Sequence, residues 1–174
     1  HGEFKSWLSA LQICAGIIAD VSIISIKRNC FEKRRCLLMD DRELFARLIQ
    51  CEAGGEGDNG MRAVASVVMN RVNAPGGEYK RVGQGSIRKI LYQTGQFVCM
   101  SETERGKYNP QNIYNMRPEQ IHYDIADWAI AGNRLMDLGT ALWFYNPFSP
   151  TCRRNFPSQI GYLITRIGDH CFYN

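Results

Sequence analysis

The 174-residue chain lacks low-complexity tracts and any long internal period, which excludes collagen-like, disordered and solenoid architectures. It has no CxxC pair and no Cys/His cluster at zinc-ligand spacing, so local motifs lead to the expectation of no metal and no cofactor. It has no basic stripe interleaved with aromatics. The excess of 21 Lys+Arg over 17 Asp+Glu, a formal charge of +4, therefore suits polyanionic partners in general and gives no ground for nucleic acid. A long unbroken apolar run is also missing. The stretch from Ala10 to Ile26 is interrupted by Gln12 and Asp20 and is followed by Lys27, Arg28, Lys33, Arg34 and Arg35. It is too short and too broken for a stable membrane span, and it has neither the leading basic region nor the trailing cleavage site of a secretory signal. The export route is not evident from it.

What the chain does have is an ordinary globular composition, 45% hydrophobic and 22% charged, at a length that suits one domain with a real core and at most a small extra lobe. It also has seven cysteines: Cys14, Cys30, Cys36, Cys51, Cys99, Cys152 and Cys171. The odd number leaves at least one unpaired, and small buried thiols are expected ahead of disulfides. Cys51 beside Glu52 could suggest a nucleophile, but His122 and His170 stand in separate segments with nothing local tying either to it. A buried helix cysteine is the expectation there.

Local signals sharpen at Asp40. Asp40 and Glu43 have the form of a capping box, and Leu44, Leu48, Ile49 and Cys51 continue at helical spacing until Gly54 and Gly55. That spacing predicts a helix with Glu52 in its last turn. A second helix is predicted from Asn59, with Asp58 and Asn59 as N-capping residues, to a point before Pro75. A third runs from Ser86 through Leu91 and a fourth from Pro118 to Gly139, the last holding Ile121, Ile125, Trp128, Ala129 and Leu135. Trp143-Phe144-Tyr145 and Phe172-Tyr173 read as short extended pieces. The fold class expected is mainly α with minor β. Residues 1–39 read as an N-terminal extension of unknown role, with prosegment, lobe and tag all open, and residues 40–174 as the catalytic domain.

Glu52 carries the chemical argument. A carboxylate at a helix C-terminus faces the negative end of the macrodipole, and apolar neighbours desolvate it, so both effects favour the protonated form. That is the state a general acid needs to protonate a glycosidic oxygen. Glu56 would share a face with Glu52 if the helix continued, but Gly54-Gly55 breaks it, and Glu56 is expected to order a loop by accepting backbone donors. Asn70 and Arg71 are expected to form a buried polar brace. Gln96, Phe97, Tyr145, Asn146 and His170 are the candidates for substrate binding or site support, since aromatic faces stack on sugars while amide and imidazole groups bond hydroxyl and N-acetyl groups.

The blocks Ala46-Arg47-Leu48-Ile49-Gln50-Cys51-Glu52-Ala53-Gly54-Gly55-Glu56-Gly57 and Val68-Met69-Asn70-Arg71-Val72 resemble the SleB/CwlJ family of spore-cortex and cell-wall hydrolases. Gly95-Gln96-Phe97, Ala141 to Pro147 and Ile167 to Tyr173 are similar to that family's later blocks in the same order. The resemblance spans residues 40–174; residues 1–39 have no counterpart in it, and seven cysteines are unusual for it. It implies a lysozyme-like domain related to lytic transglycosylases, with Glu52 on the family's catalytic glutamate. It also implies peptidoglycan of spore cortex or vegetative wall as the partner, and a setting in the spore or cell envelope outside the cytoplasm. The implied reaction cleaves between N-acetylmuramic acid and N-acetylglucosamine and closes a 1,6-anhydro ring. A non-catalytic peptidoglycan-binding module and a muramidase-type hydrolase using a second carboxylate stay open. No regulatory protein partner is identifiable, and no ligand or nucleophile set suits an amidase or peptidase.

Overall fold

The computed structural model describes residues 39–157 and 161–174. The N-terminal apolar stretch and Cys14, Cys30 and Cys36 lie outside the described residues. Helix α1, Asp41–Ala53, places Asp41 and Glu43 in its first turn, where the macrodipole favours negative charge. The Glu43 carboxylate accepts from Arg47 Nε at 2.6 Å and from the Tyr123 hydroxyl. Leu44, Phe45, Leu48 and Ile49 recur at helical spacing and are fully buried. Burial of side chains of this size is worth about 1.5–3 kcal/mol each. Gly54 then ends the helix at a place where a Cβ would lie 2.5 Å from the Gln50 carbonyl oxygen.

Helix α2, Gly57–Val72, is the spine of the domain. Val64 and Val68 pack with α1 and with Ile125, Ala126 and Ala129. On another face, Ala63 and Val67 pack with Leu138, Ala141 and Phe172 beside the sheet. One helix thus serves two cores, which explains why its apolar residues form a run instead of a stripe. It begins two residues before the predicted start, and Asp58 does not cap it: the Asp58 carboxylate is bound by Arg62 one turn on.

A short helix α3, Gly77–Gly83, precedes α4, Ile87–Leu91, whose predicted start at Ser86 is seen as an N-cap in which the side chain accepts from Lys89 N. Helix α5, Gln120–Ile130, is shorter than the predicted Pro118–Gly139. Gly132, at φ +97°, turns the chain out of the helix, and Asn133 Nδ2 closes the end by donating to the Trp128 carbonyl. Met136–Leu138 returns as one 3-10 turn. His122, at the third position of α5, completes a capping box with Glu119.

Strands β1, Thr103–Glu104, and β2, Lys107–Tyr108, make a small hairpin turned by Arg105 and Gly106, both at positive φ. The main sheet has three antiparallel strands in the order β3, β5, β4, with β3 Trp143–Tyr145, β4 Leu163–Ile167 and β5 His170–Tyr173. Phe144 pairs with Phe172 and Tyr145 with Cys171 across β3 and β5. Central strand β5 is buried throughout. A disulfide joins Cys152 to Cys171, which corrects the expectation of free thiols at those two positions: a long exposed loop after β3 is stapled to the middle of the sheet. Cys51 and Cys99 are free, the second of them buried.

Candidate active site

The end of α1 brings Glu52 to the meeting point of α2 and the 3-10 turn Val98–Met100. Burial pushes its carboxyl pKa above the ordinary glutamate value, while a hydrogen bond from the Cys99 thiol and the positive charge of Arg71 pull the other way without prevailing. Arg71 comes from the last turn of α2 and is only 4% exposed. Its Nε donates to the Leu142 carbonyl at 2.7 Å, and neighbouring Asn70 Nδ2 donates to the Gly139 and Ala141 carbonyls. These bonds are the polar brace expected from sequence, tying α2 to the approach of β3.

Arg71 has a second part that the sequence did not reveal. Its guanidinium lies 5.1 Å from the Tyr79 ring centre and 5.2 Å from that of Phe97, and its Nη1 is buried without a hydrogen-bond partner among the described residues. The Tyr79 hydroxyl donates to Gln96 Oε1 at 3.2 Å. Gln96 and Phe97 therefore join Glu52 through Arg71 and Tyr79. Phe97 also shares a wall with a surface cavity of about 460 Å³ bounded by Tyr92, Val98 and Ser101; Glu52 is not on that wall.

Glu56 and His170 meet at the β4–β5 turn, while Tyr145 ends β3 and Asn146 follows it. Glu56 Oε2 accepts the Asp169 backbone N–H at 2.7 Å and lies 3.7 Å from His170 Nδ1. A Cβ on Gly60 would sit 2.3 Å from Glu56 Cβ, and one on Gly168 2.1 Å from Glu56 Oε2, so two glycines make room for this side chain against the β4–β5 turn. Gly168 is itself at φ +57°. His170 packs edge-on to Phe144, and burial holds its imidazole below the usual pKa although Glu56 and Asp169 pull it upward. The Tyr145 ring stacks on Tyr173 and meets Phe156 edge-on, and its hydroxyl is buried without a partner among the described residues. Asn146 Oδ1 accepts from Phe148 N and shapes the exposed loop after β3.

The mainly α-helical domain with a small three-stranded sheet has a lysozyme-like fold, and the buried Glu52 carboxyl stands at the end of its first helix beside Arg71. The catalytic domain of the germination-specific lytic transglycosylase SleB from Bacillus anthracis superposes with a TM-score of 0.57 at 23% identity, covering 77% of this chain and 93% of that one. The catalytic domain of the Bacillus cereus SleB protein matches with the same TM-score at 24% identity, over 77% and 89%. The cell wall hydrolase family model matches residues 55–173. The chain belongs to that family, which is the family of SleB and CwlJ. The cell wall hydrolase CwlJ of Oceanobacillus iheyensis is 31% identical over 132 residues, 75% of this chain and 84% of that protein. CwlJ of Bacillus subtilis is 29% identical over 133 residues, 76% and 84%.

Proposed function

We propose that residues 40–174 form a catalytic domain that cleaves peptidoglycan glycan strands between N-acetylmuramic acid and N-acetylglucosamine, with Glu52 as acid and then base. The observation that carries this reading is the pair of opposed influences on Glu52: burial favours the acid form needed to protonate the glycosidic oxygen, and the Arg71 charge stabilises the carboxylate left behind. That carboxylate takes the proton of the muramic C6 hydroxyl. The C6 oxygen then bonds to C1 and closes a 1,6-anhydro ring, so the product is that of a lytic transglycosylase. Intramolecular attack has the proximity advantage that an outside water lacks.

Among the described residues a second carboxylate is not readily supplied, which favours this route over a muramidase-type hydrolysis. Glu56 is bound to the Asp169 amide, and Glu102, Glu104, Asp124 and Asp127 are exposed. The relatives' names, cell wall hydrolase CwlJ and lytic transglycosylase SleB, agree with this substrate. The Cys152–Cys171 disulfide supports an oxidising setting outside the cytoplasm, in the spore or cell envelope. Among the described residues no helix is long and apolar enough to cross a membrane.

The test is digestion of purified peptidoglycan, with and without muramic δ-lactam, by the full chain and by a fragment starting at Asp40. Muropeptides ending in 1,6-anhydromuramic acid from both proteins are expected. Reducing muramic ends carrying solvent ¹⁸O would sink the transglycosylase route, and binding without any cleavage would leave a peptidoglycan-binding module in its place.

A further inference from the structure

Glu52 does not stand alone at the end of α1. The Sγ atoms of Cys51 and Cys99 and a carboxylate oxygen of Glu52 all lie within 4.8 Å of one another. Cys51 and Glu52 are consecutive on α1, and Cys99 is the buried residue of the 3-10 turn Val98–Met100. In a tetrahedral site with metal–sulfur and metal–oxygen bonds of about 2.3 and 2.1 Å, ligand atoms are roughly 3.5–3.8 Å apart. Contraction by at most about 1.3 Å would close the three donors around an ion.

We propose that Cys51, Glu52 and Cys99 form a binding site for a thiophilic divalent cation such as zinc, which engages the Glu52 carboxylate and switches glycan cleavage off. Two thiolates and a carboxylate select soft or borderline ions over magnesium and calcium, and three protein donors leave a fourth position for water. Binding replaces two S–H bonds by two S–metal bonds and the Glu52 O–H bond by an O–metal bond, and releases both thiol protons and the proton of the Glu52 acid form to solvent. Charge also balances. The three negative donors are met by the two charges of the ion and the one of Arg71, so the buried cluster is neutral when filled. Without the ion, the Cys99 thiol is kept protonated by its hydrogen bond to Cys51 and by burial, leaving Glu52 opposite Arg71 as the reaction requires. The 47 residues between Cys51 and Cys99 hide the site from any search for local zinc motifs.

The switching part rests on Glu52 being the acid; the binding part does not. The binding test is a cobalt(II) titration of the full chain, reduced with a non-chelating phosphine and carrying Cys14, Cys30 and Cys36 as serine, read by the sulfur-to-cobalt charge-transfer band. The same background with Cys51→Ser and Cys99→Ser is subtracted, so other thiols cancel. A difference band that zinc abolishes is expected, and Glu52→Gln should weaken cobalt by about ten-fold or more. No difference band overturns the site, as does a Cys51–Cys99 disulfide in the purified protein that bars the ion. If the double variant does not fold, alkylation of the parent decides: zinc must protect both Cys51 and Cys99 from iodoacetamide, and equal labelling refutes the proposal. Zinc should then inhibit parent cleavage at least ten-fold relative to the metal-free rate. A chain that binds cobalt but never cleaves glycan condemns the proposed activity, whereas one that cleaves normally in zinc and shows no band condemns the metal site.

Discussion

Glu52 and Glu56 stand four residues apart, on either side of Gly54-Gly55, yet they live in different chemistry. Glu52 ends a buried helix and faces two thiols and a buried arginine, and desolvation raises its pKa above the ordinary glutamate value. Glu56 begins the next helix and turns to the sheet, where a backbone amide and the edge of His170 take up its carboxylate. On the proposed function the helical half holds the acid, whereas the sheet half uses the same functional group to fasten the β4–β5 turn to α2. Two glycines between them decide which half each carboxylate joins.

Substitution of the reactive member gives the largest expected effect. Glu52→Gln should lower glycan cleavage by about 10²–10⁴ while leaving the circular dichroism spectrum unchanged, because the shape is kept and only the transferable proton is lost. Near-native turnover in that variant would move the chemistry out of the helical half. The sheet half should answer differently. Cys152→Ala opens a cross-link between residues 19 apart and should cost about 3 kcal/mol of stability. That is a fall in Tm of roughly 6–12 °C for a domain of this size. Initial rates well below the transition should stay close to those of the parent. A variant that melts normally but has lost activity would show that the sheet carries chemistry too.

How far each half was legible in the sequence follows from the range of its interactions. The end of α1 is local: spacing of Leu44, Leu48 and Ile49 and the stop at Gly54 are sufficient to put Glu52 in a last turn. The strands at Trp143 and Phe172 are legible from aromatic content alone. Helix α3 was not expected, since its seven residues carry only Tyr79 as a buried aromatic and show no apolar period. The predicted fourth helix ran too far because Gly132 looks like a tolerated interior glycine until its positive φ is known. Cys99 beside Glu52, Arg71 between two rings, and the pairing of Cys152 with Cys171 join segments far apart in the chain, and no periodicity records them.

Glu56 offers the sharper test of the division. Glu56→Ala removes the acceptor of the Asp169 amide and the charge beside His170, and should destabilise the domain by about 1–3 kcal/mol, whereas Glu56→Gln keeps an acceptor oxygen and should cost less. Gly168→Ala should reproduce the Glu56→Ala loss, since its methyl group would displace the same carboxylate oxygen and strain a positive φ. Chemical denaturation measures all three. If both Glu56 variants instead lose cleavage by about 10² or more at unchanged stability, a rate effect of the size general acid–base catalysis commonly supplies, Glu56 is a second chemical carboxylate and a hydrolytic route gains ground.

The smallest effect concerns the stability that Glu52 costs. The groups facing it are Cys51 on its own helix, Cys99 from the 3-10 turn and Arg71 from α2, and the net result of burial, thiol hydrogen bond and arginine charge is a raised pKa. A carboxyl whose folded pKa exceeds its unfolded value binds more protons in the native state across the interval between the two. Stability must therefore fall as pH rises from the unfolded value through the folded one, and the loss is complete above it. Gln at this position imitates the protonated carboxyl at every pH, with the attraction to Arg71 already counted in the net direction. Glu52→Gln should accordingly melt higher than the parent at pH 8, with the difference shrinking toward zero below about pH 4, under the ordinary glutamate value. Thermal melts in a chelator, to keep Cys51 and Cys99 free of metal, measure it. A variant that melts lower than the parent at pH 8 would mean that Arg71, left without a charged neighbour, outweighs the relief of desolvation, and the helical half would then hold its carboxylate for stability instead of reactivity.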